Sequence, residues 1–147
     1  MSWIDCQLPV GDEVYLYYGG YARGHKVAAN KERQIGLARM KKDRYVALAP
    51  QREEGTLRTK VFLVPGDRLT VNARAPRGEV RVRLLDEAGK PLAALGDADA
   101  KPVTGDVLAG EVRWPRSLGE LLGKPVALEF RVRQGQLFGF ELRGKED

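Results

Sequence analysis

The sequence predicts an all-β protein: an antiparallel, jelly-roll-like β-sandwich preceded by a short β-meander. Three observations predict it. Glu79-Val80-Arg81-Val82-Arg83-Leu84-Leu85-Asp86 alternates apolar residues with arginine, the period-two pattern of a strand with one buried and one wet face. Similar segments recur on both sides of it, separated by turn residues at intervals of roughly ten. No helical pattern is long enough to cover a parallel sheet, which counts against α/β folds. A chain of 147 residues has room for one domain with a sizeable core and is short for two.

Taken in order, Gly11 to Gly20 is rich in aromatic and β-branched residues and closes on two glycines, as a first strand does. Tyr21 to Arg33 is a polar loop carrying His25. Gln34 to Met40 reads as a second strand with Ile35 and Leu37 on one face, and Lys41 to Arg44 turns into a third, Tyr45 to Leu48. Residues 1–48 thus form the meander, Ala49 to Glu54 the boundary, and residues 55–143 the sandwich. Within the sandwich, Thr56 to Val64 places Leu57, Thr59, Val61 and Leu63 together, and Pro65-Gly66-Asp67 turns the chain. Arg68 to Ala75 puts Leu69, Val71 and Ala73 on one side. Pro76-Arg77-Gly78 then leads into the alternating strand described above.

Pro91 to Leu95 reads as a short strand and Gly96 to Asp106 as a loop, after which Leu108, Gly110, Val112 and Trp114 alternate with charged residues. One short helix is expected near 117–122, because Ser117 precedes Glu120 at capping-box spacing and Gly123 follows as a stop. Pro125 opens a strand with Val126, Leu128, Phe130 and Val132 facing in. Gln134-Gly135-Gln136 reads as a hairpin turn, returning with Phe138, Phe140 and Leu142 inward.

Composition narrows the function classes. The net charge of +5 is spread along the strands as arginines interleaved with glutamates, a pattern that blunts edge association. Nucleic-acid surfaces want basic clusters with stacking aromatics among them, so no nucleic-acid partner is expected. No apolar run approaches the ~20 residues of a membrane helix. The N-terminus lacks the basic head and apolar core of a signal peptide, which makes the cytoplasm the default expectation. Cys6 is the only cysteine, near what reads as a frayed terminus, and His25 the only histidine. A disulfide within the chain and a Cys/His zinc site are therefore both excluded. Asp97, Asp99 and Asp106 form the tightest acidic group, the candidates for calcium, but their spacing matches no EF-hand loop. A solvated acidic turn is the plainer reading, and no metal or cofactor is expected.

Two sets of residues carry a family resemblance. Gly11-Asp12-Glu13-Val14-Tyr15-Leu16-Tyr17-Tyr18-Gly19-Gly20, the His25 loop, Ile35-Gly36-Leu37-Ala38 and Asp43-Arg44-Tyr45-Val46 resemble the last blade of bacterial five-bladed β-propeller glycosidase-like proteins. Gly55 to Lys60, Leu69 to Ala73, Val80 to Asp86 with Gly89-Lys90-Pro91, Gly105-Asp106 before Val112-Arg113-Trp114, and Leu121 to Val126 resemble the C-terminal β-sandwich that follows such propellers. The chain departs from that group at Asp43-Arg44-Tyr45, where Asp-Gly-aromatic is usual. Because the catalytic carboxylates of the group sit on earlier blades, the resemblance implies an accessory domain without catalysis of its own. That domain would support or bind carbohydrate and belong to a glycoside-hydrolase-like parent. Tyr18, Tyr21, Arg23 and His25 are the candidate sugar contacts, since aromatic faces stack on pyranose rings and planar hydrogen-bonders flank them. The alternatives are a glycosidase active only with upstream blades and a structural β-protein that oligomerises through its N-terminal strands.

Overall fold

The computed structural model describes residues 2–21, 33–96 and 98–144, and within them the fold is all-β with antiparallel ladders. The chain divides into two compact units, Met1–Tyr45 and Val46–Asp147.

In the first unit, β1 (Ser2–Val10), β2 (Glu13–Tyr21) and β3 (Arg33–Lys41) form a three-stranded sheet with β2 central. The segment expected to be a frayed terminus is therefore a strand. A bulge between Ile4 and Cys6 interrupts its alternation, which is why period two does not reveal it. Gly11, at φ +58°, makes the turn into β2. Val14 and Leu16 are buried on one side of β2. On the other, the Arg39 guanidinium lies 4.9 Å from the Tyr15 ring centroid, and its Nε donates to Glu13 Oε2 at 3.2 Å. After β3 the positive φ of +60° falls on Asp43, which tolerates it, so Arg44 carries no such strain. Tyr45 to Leu48 forms no third meander strand; Leu48, already in the second unit, makes a single bridge there, to Leu137.

The second unit gathers its strands around β6 (Arg68–Leu85), 18 residues long. The expected turn at Pro76-Arg77-Gly78 is instead a bend within this single strand. Its first half runs between β7 (Val103–Val112) and β9 (Gln136–Arg143), with Leu69 opposite both Val112 and Leu142. Its second half pairs with β8 (Pro125–Arg133), which in turn pairs with β4 (Glu54–Arg58) and with β5 (Phe62–Leu63). The result is one six-stranded sheet coiled on β6.

The expected hairpin at Gln134-Gly135 does not double back. β8 and β9 both run antiparallel to β6, β8 along residues 79–85 and β9 along residues 68–74. They make one long ribbon that bends where β6 bends. Two glycines permit the close crossing. A Cβ on Gly78 would overlap the Arg133 carbonyl, and a Cβ on Gly135 would lie 2.7 Å from the Ala75 Cβ. Gln134, between the two strands, adopts φ +45°.

Burial follows the alternation wherever the strands are regular. Val80, Val82, Leu84 and Phe130 are fully buried, with Leu69, Val71, Val126 and Leu128 beside them. It departs where a bulge intervenes. The irregularity at Asn72/Ala73 lets Leu137 rather than Phe138 enter the core. Between β4 and β5 the phase also slips, so Val64 is buried while Val61 and Leu63 are exposed. Pro91 to Leu95 makes no strand; Leu95 plugs the core, its carbonyl accepting from the Leu84 N–H at 3.0 Å. The expected helix is a 3₁₀ turn, Leu118–Leu121, whose cap Ser117 accepts from the Gly119 N–H at 3.2 Å. Its Leu118 and Leu121 are buried.

Candidate functional site

The sequence-predicted residues are not brought together. Tyr18 and Tyr21 lie three apart on β2 and so point to opposite faces of the sheet. Tyr18 stands opposite Gly36, and its ring covers that glycine closely enough that any Cβ there would overlap it. This is an aromatic ring filling the gap a strand glycine leaves, a packing role. Arg23 and His25 lie outside the described residues, as does Asp97. Asp99 accepts from the Gly96 N–H at 3.2 Å within its own turn, and Asp106 stands on β7 opposite Arg74. Among the described residues no three His, Cys, Asp or Glu side chains cluster as metal ligands would.

The second unit holds two polar grooves that sequence reading missed. The first, about 200 Å³, is lined by Asp67, Arg68, Glu111, Arg113, Trp114 and Arg116 among others. β7 ends here: Glu111 lies opposite Thr70 on β6, and Trp114 follows just past the strand. The Trp114 ring is half-buried against the core, and its Nε1–H donates to the Val82 carbonyl at 2.9 Å. That bond fixes the indole, so its presentation costs little side-chain entropy. Beside it Arg113 Nε donates to Glu111 Oε2 at 2.9 Å, and Arg68 Nε lies 3.9 Å from Glu111 Oε1. The Arg113 hydrogen bond, with the charges of Arg113 and Arg68, holds the Glu111 carboxyl below the ordinary carboxylate range. A fixed aromatic side chain thus stands among planar hydrogen-bond donors and acceptors. The sequence signal was Trp114 at the end of an alternating strand, followed by the helix-capping Ser117.

The second groove, about 420 Å³, sits at the bend, lined by Arg74, Pro76, Arg77, Gln134, Gly135 and Gln136. Its residues read in sequence as two separate turns, and nothing in their spacing announces that the ladder brings them together.

Past the bend, the second half of β6 and the facing β8 carry a lattice of ion pairs. Arg83 Nε donates to Glu129 at 2.6 Å, and Glu79 receives Arg81 at 3.2 Å and Arg133 at 3.4 Å. Glu79 is held below its ordinary range chiefly by the Arg81 hydrogen bond, with Arg133 adding to it. No protein-family model, curated protein or solved structure matches the chain.

Proposed function

We propose that the chain is a non-catalytic carbohydrate module, an accessory β-sandwich-like domain of a glycoside-hydrolase-like protein. The observation that carries the reading is the Trp114 groove, where an anchored indole stands beside Arg113, Glu111 and Arg68. Its carboxylates argue for holding a sugar rather than cleaving one. Hydrolysis needs a general acid with a raised pKa across the bond from a second carboxylate, and Glu111 is shifted the opposite way by its arginines. Affinity electrophoresis against neutral polysaccharides tests it. The chain is expected to be retarded by at least one of them. Arg113→Ala, an exposed change, weakens the retardation, and Trp114→Ala abolishes it, with thermal melts confirming that both variants fold. Retardation indifferent to both changes overturns the reading. So does turnover of an aryl glycoside that is lost on replacing one of the chain's own aspartates or glutamates.

A second reading, self-association through the N-terminal sheet, is favoured by one observation. The register aligns Leu8, Tyr15, Tyr17, Leu37 and Ile35 on one face beside the Glu13–Arg39 pair, and Leu8, Leu37 and Ile35 are exposed. Large exposed apolar faces mark interaction surfaces. Sedimentation is expected to show a dimer that Ile35→Lys with Leu37→Lys dissociates; a monomer at all concentrations removes this reading.

A further inference from the structure

We propose that the groove at the bend of β6 binds the carboxylate of an acidic sugar, a uronate unit of a polysaccharide. Three observations meet there. The first concerns charge. Arg74 and Arg77 both line the groove and make no ion pair with a described residue. The arginines around them do: Arg68 with Glu111, Arg81 and Arg133 with Glu79, Arg143 with Glu141. Arg58 on β4 likewise makes no ion pair with a described residue, but it stands alone, whereas Arg74 and Arg77 share one depression and form a local surplus. Asp106, across the ladder from Arg74, tempers that surplus from outside the lining.

The second concerns strain. Gln134 holds φ +45°, a conformation glycine or asparagine adopts at lower cost. The next residue is a glycine, so the turn could have placed its freedom one position earlier. Strained backbone positions cluster at functional sites, and Gln134 lines the groove together with Gln136.

The third concerns rigidity. The groove lies at the bend where Gly78 and Gly135 let two backbones pass closely, and the Gln134 N–H is tied to the Glu53 carbonyl at 2.9 Å. The backbone of its lining is therefore positioned before any ligand arrives, which reduces part of the ordering cost of binding.

The chemistry selects the ligand. Guanidinium groups take planar oxyanions in paired, charge-assisted hydrogen bonds. Primary amides donate to and accept from hydroxyls, which a uronate ring presents beside its carboxylate. Among the described residues no aromatic side chain lines the groove, so they offer no platform for nucleic-acid bases. A volume of about 420 Å³ falls in the range of small-ligand sites. The sugar part of this proposal rests on the carbohydrate reading above; the oxyanion part stands without it.

Titration calorimetry of the full chain with oligogalacturonate at about 0.15 M salt tests it, alongside methyl-esterified oligogalacturonate, inorganic phosphate and duplex DNA. Oligogalacturonate is expected to bind and the uncharged ester not to. Arg74→Gln with Arg77→Gln weakens binding by about ten-fold or more. Gln134→Gly weakens it too while raising the melting temperature, because it removes both the amide and the strain. Trp114→Ala leaves it unchanged, so loss of the neutral-sugar site and loss of this one are told apart. Equal binding of the ester or of phosphate overturns the uronate assignment. Equal binding of duplex DNA, or binding indifferent to the double arginine change, overturns the site itself.

Discussion

Single residues at the bend decide whether the second unit can close. Gly78 and Gly135 are needed for the space they leave rather than for positive φ. A methyl group on Gly78 meets the Arg133 backbone carbonyl, which cannot swing aside as a side-chain tip can. Gly78→Ala is expected to cost about 1–3 kcal/mol, the usual range for forcing atoms into a packed site. Gly139 is the control, because a Cβ there meets nothing within 4 Å. Gly139→Ala should be neutral or stabilise by about 0.5–1 kcal/mol through lost unfolded-state freedom. Urea unfolding of both variants checks the pair. A Gly78→Ala variant as stable as the parent would mean that the two backbones do not cross at the distance described.

At the scale of elements, what the sequence disclosed depended on regularity. Val80, Val82, Leu84, Val126, Leu128 and Phe130 were legible as core because their strands keep a strict period of two. The continuity of β6, and of β8 into β9, was not. Pro76-Arg77-Gly78 and Gln134-Gly135-Gln136 contain the residues that reverse a chain, and the same residues also bend one. Only the ladder, a long-range property, distinguishes the two cases, and the corner groove was hidden with it. Trp114 was visible in the sequence, yet its groove needed Asp67 and Arg68 from a distant segment. The ion pairs at Glu79 on β6 and Glu111 on β7 carry a pH prediction. Glu79 and Glu111 have folded-state pKa values depressed by their arginines. Such groups add stability above the unfolded carboxylate pKa, about 4.3, and lose it as pH falls through the lower folded value. The melting temperature is therefore expected to stay level from pH 7 to about 5 and to decline below about 4.3. Glu79→Gln should flatten that decline. A melting temperature that rises on acidification would contradict the assignment.

For the whole molecule, the division into two units sets unequal tasks. The principal buried core, from Val64 to Leu137, lies within residues 46–147, so that unit holds the apolar interior a fold of its own needs. The N-terminal unit has three strands of nine residues and leaves Ile4, Leu8, Ile35 and Leu37 exposed. Three strands are near the lower limit for a sheet that stands by itself, and only when one face is covered. The two should therefore behave differently when separated. Residues 46–147 alone are expected to unfold in one cooperative transition. With Trp3 removed, Trp114 is then the single tryptophan reporting on it. Its emission should be that of a half-buried indole and should shift to the red at the same denaturant concentration at which the far-ultraviolet β signal is lost. Residues 1–45 alone should show no cooperative transition at low concentration and gain β signal only as concentration rises, because the exposed apolar face then finds a partner. If instead residues 46–147 gave a red-shifted Trp114 with the β signal retained, that unit would not hold its own core, and the burial of Trp114 described above would not survive in it.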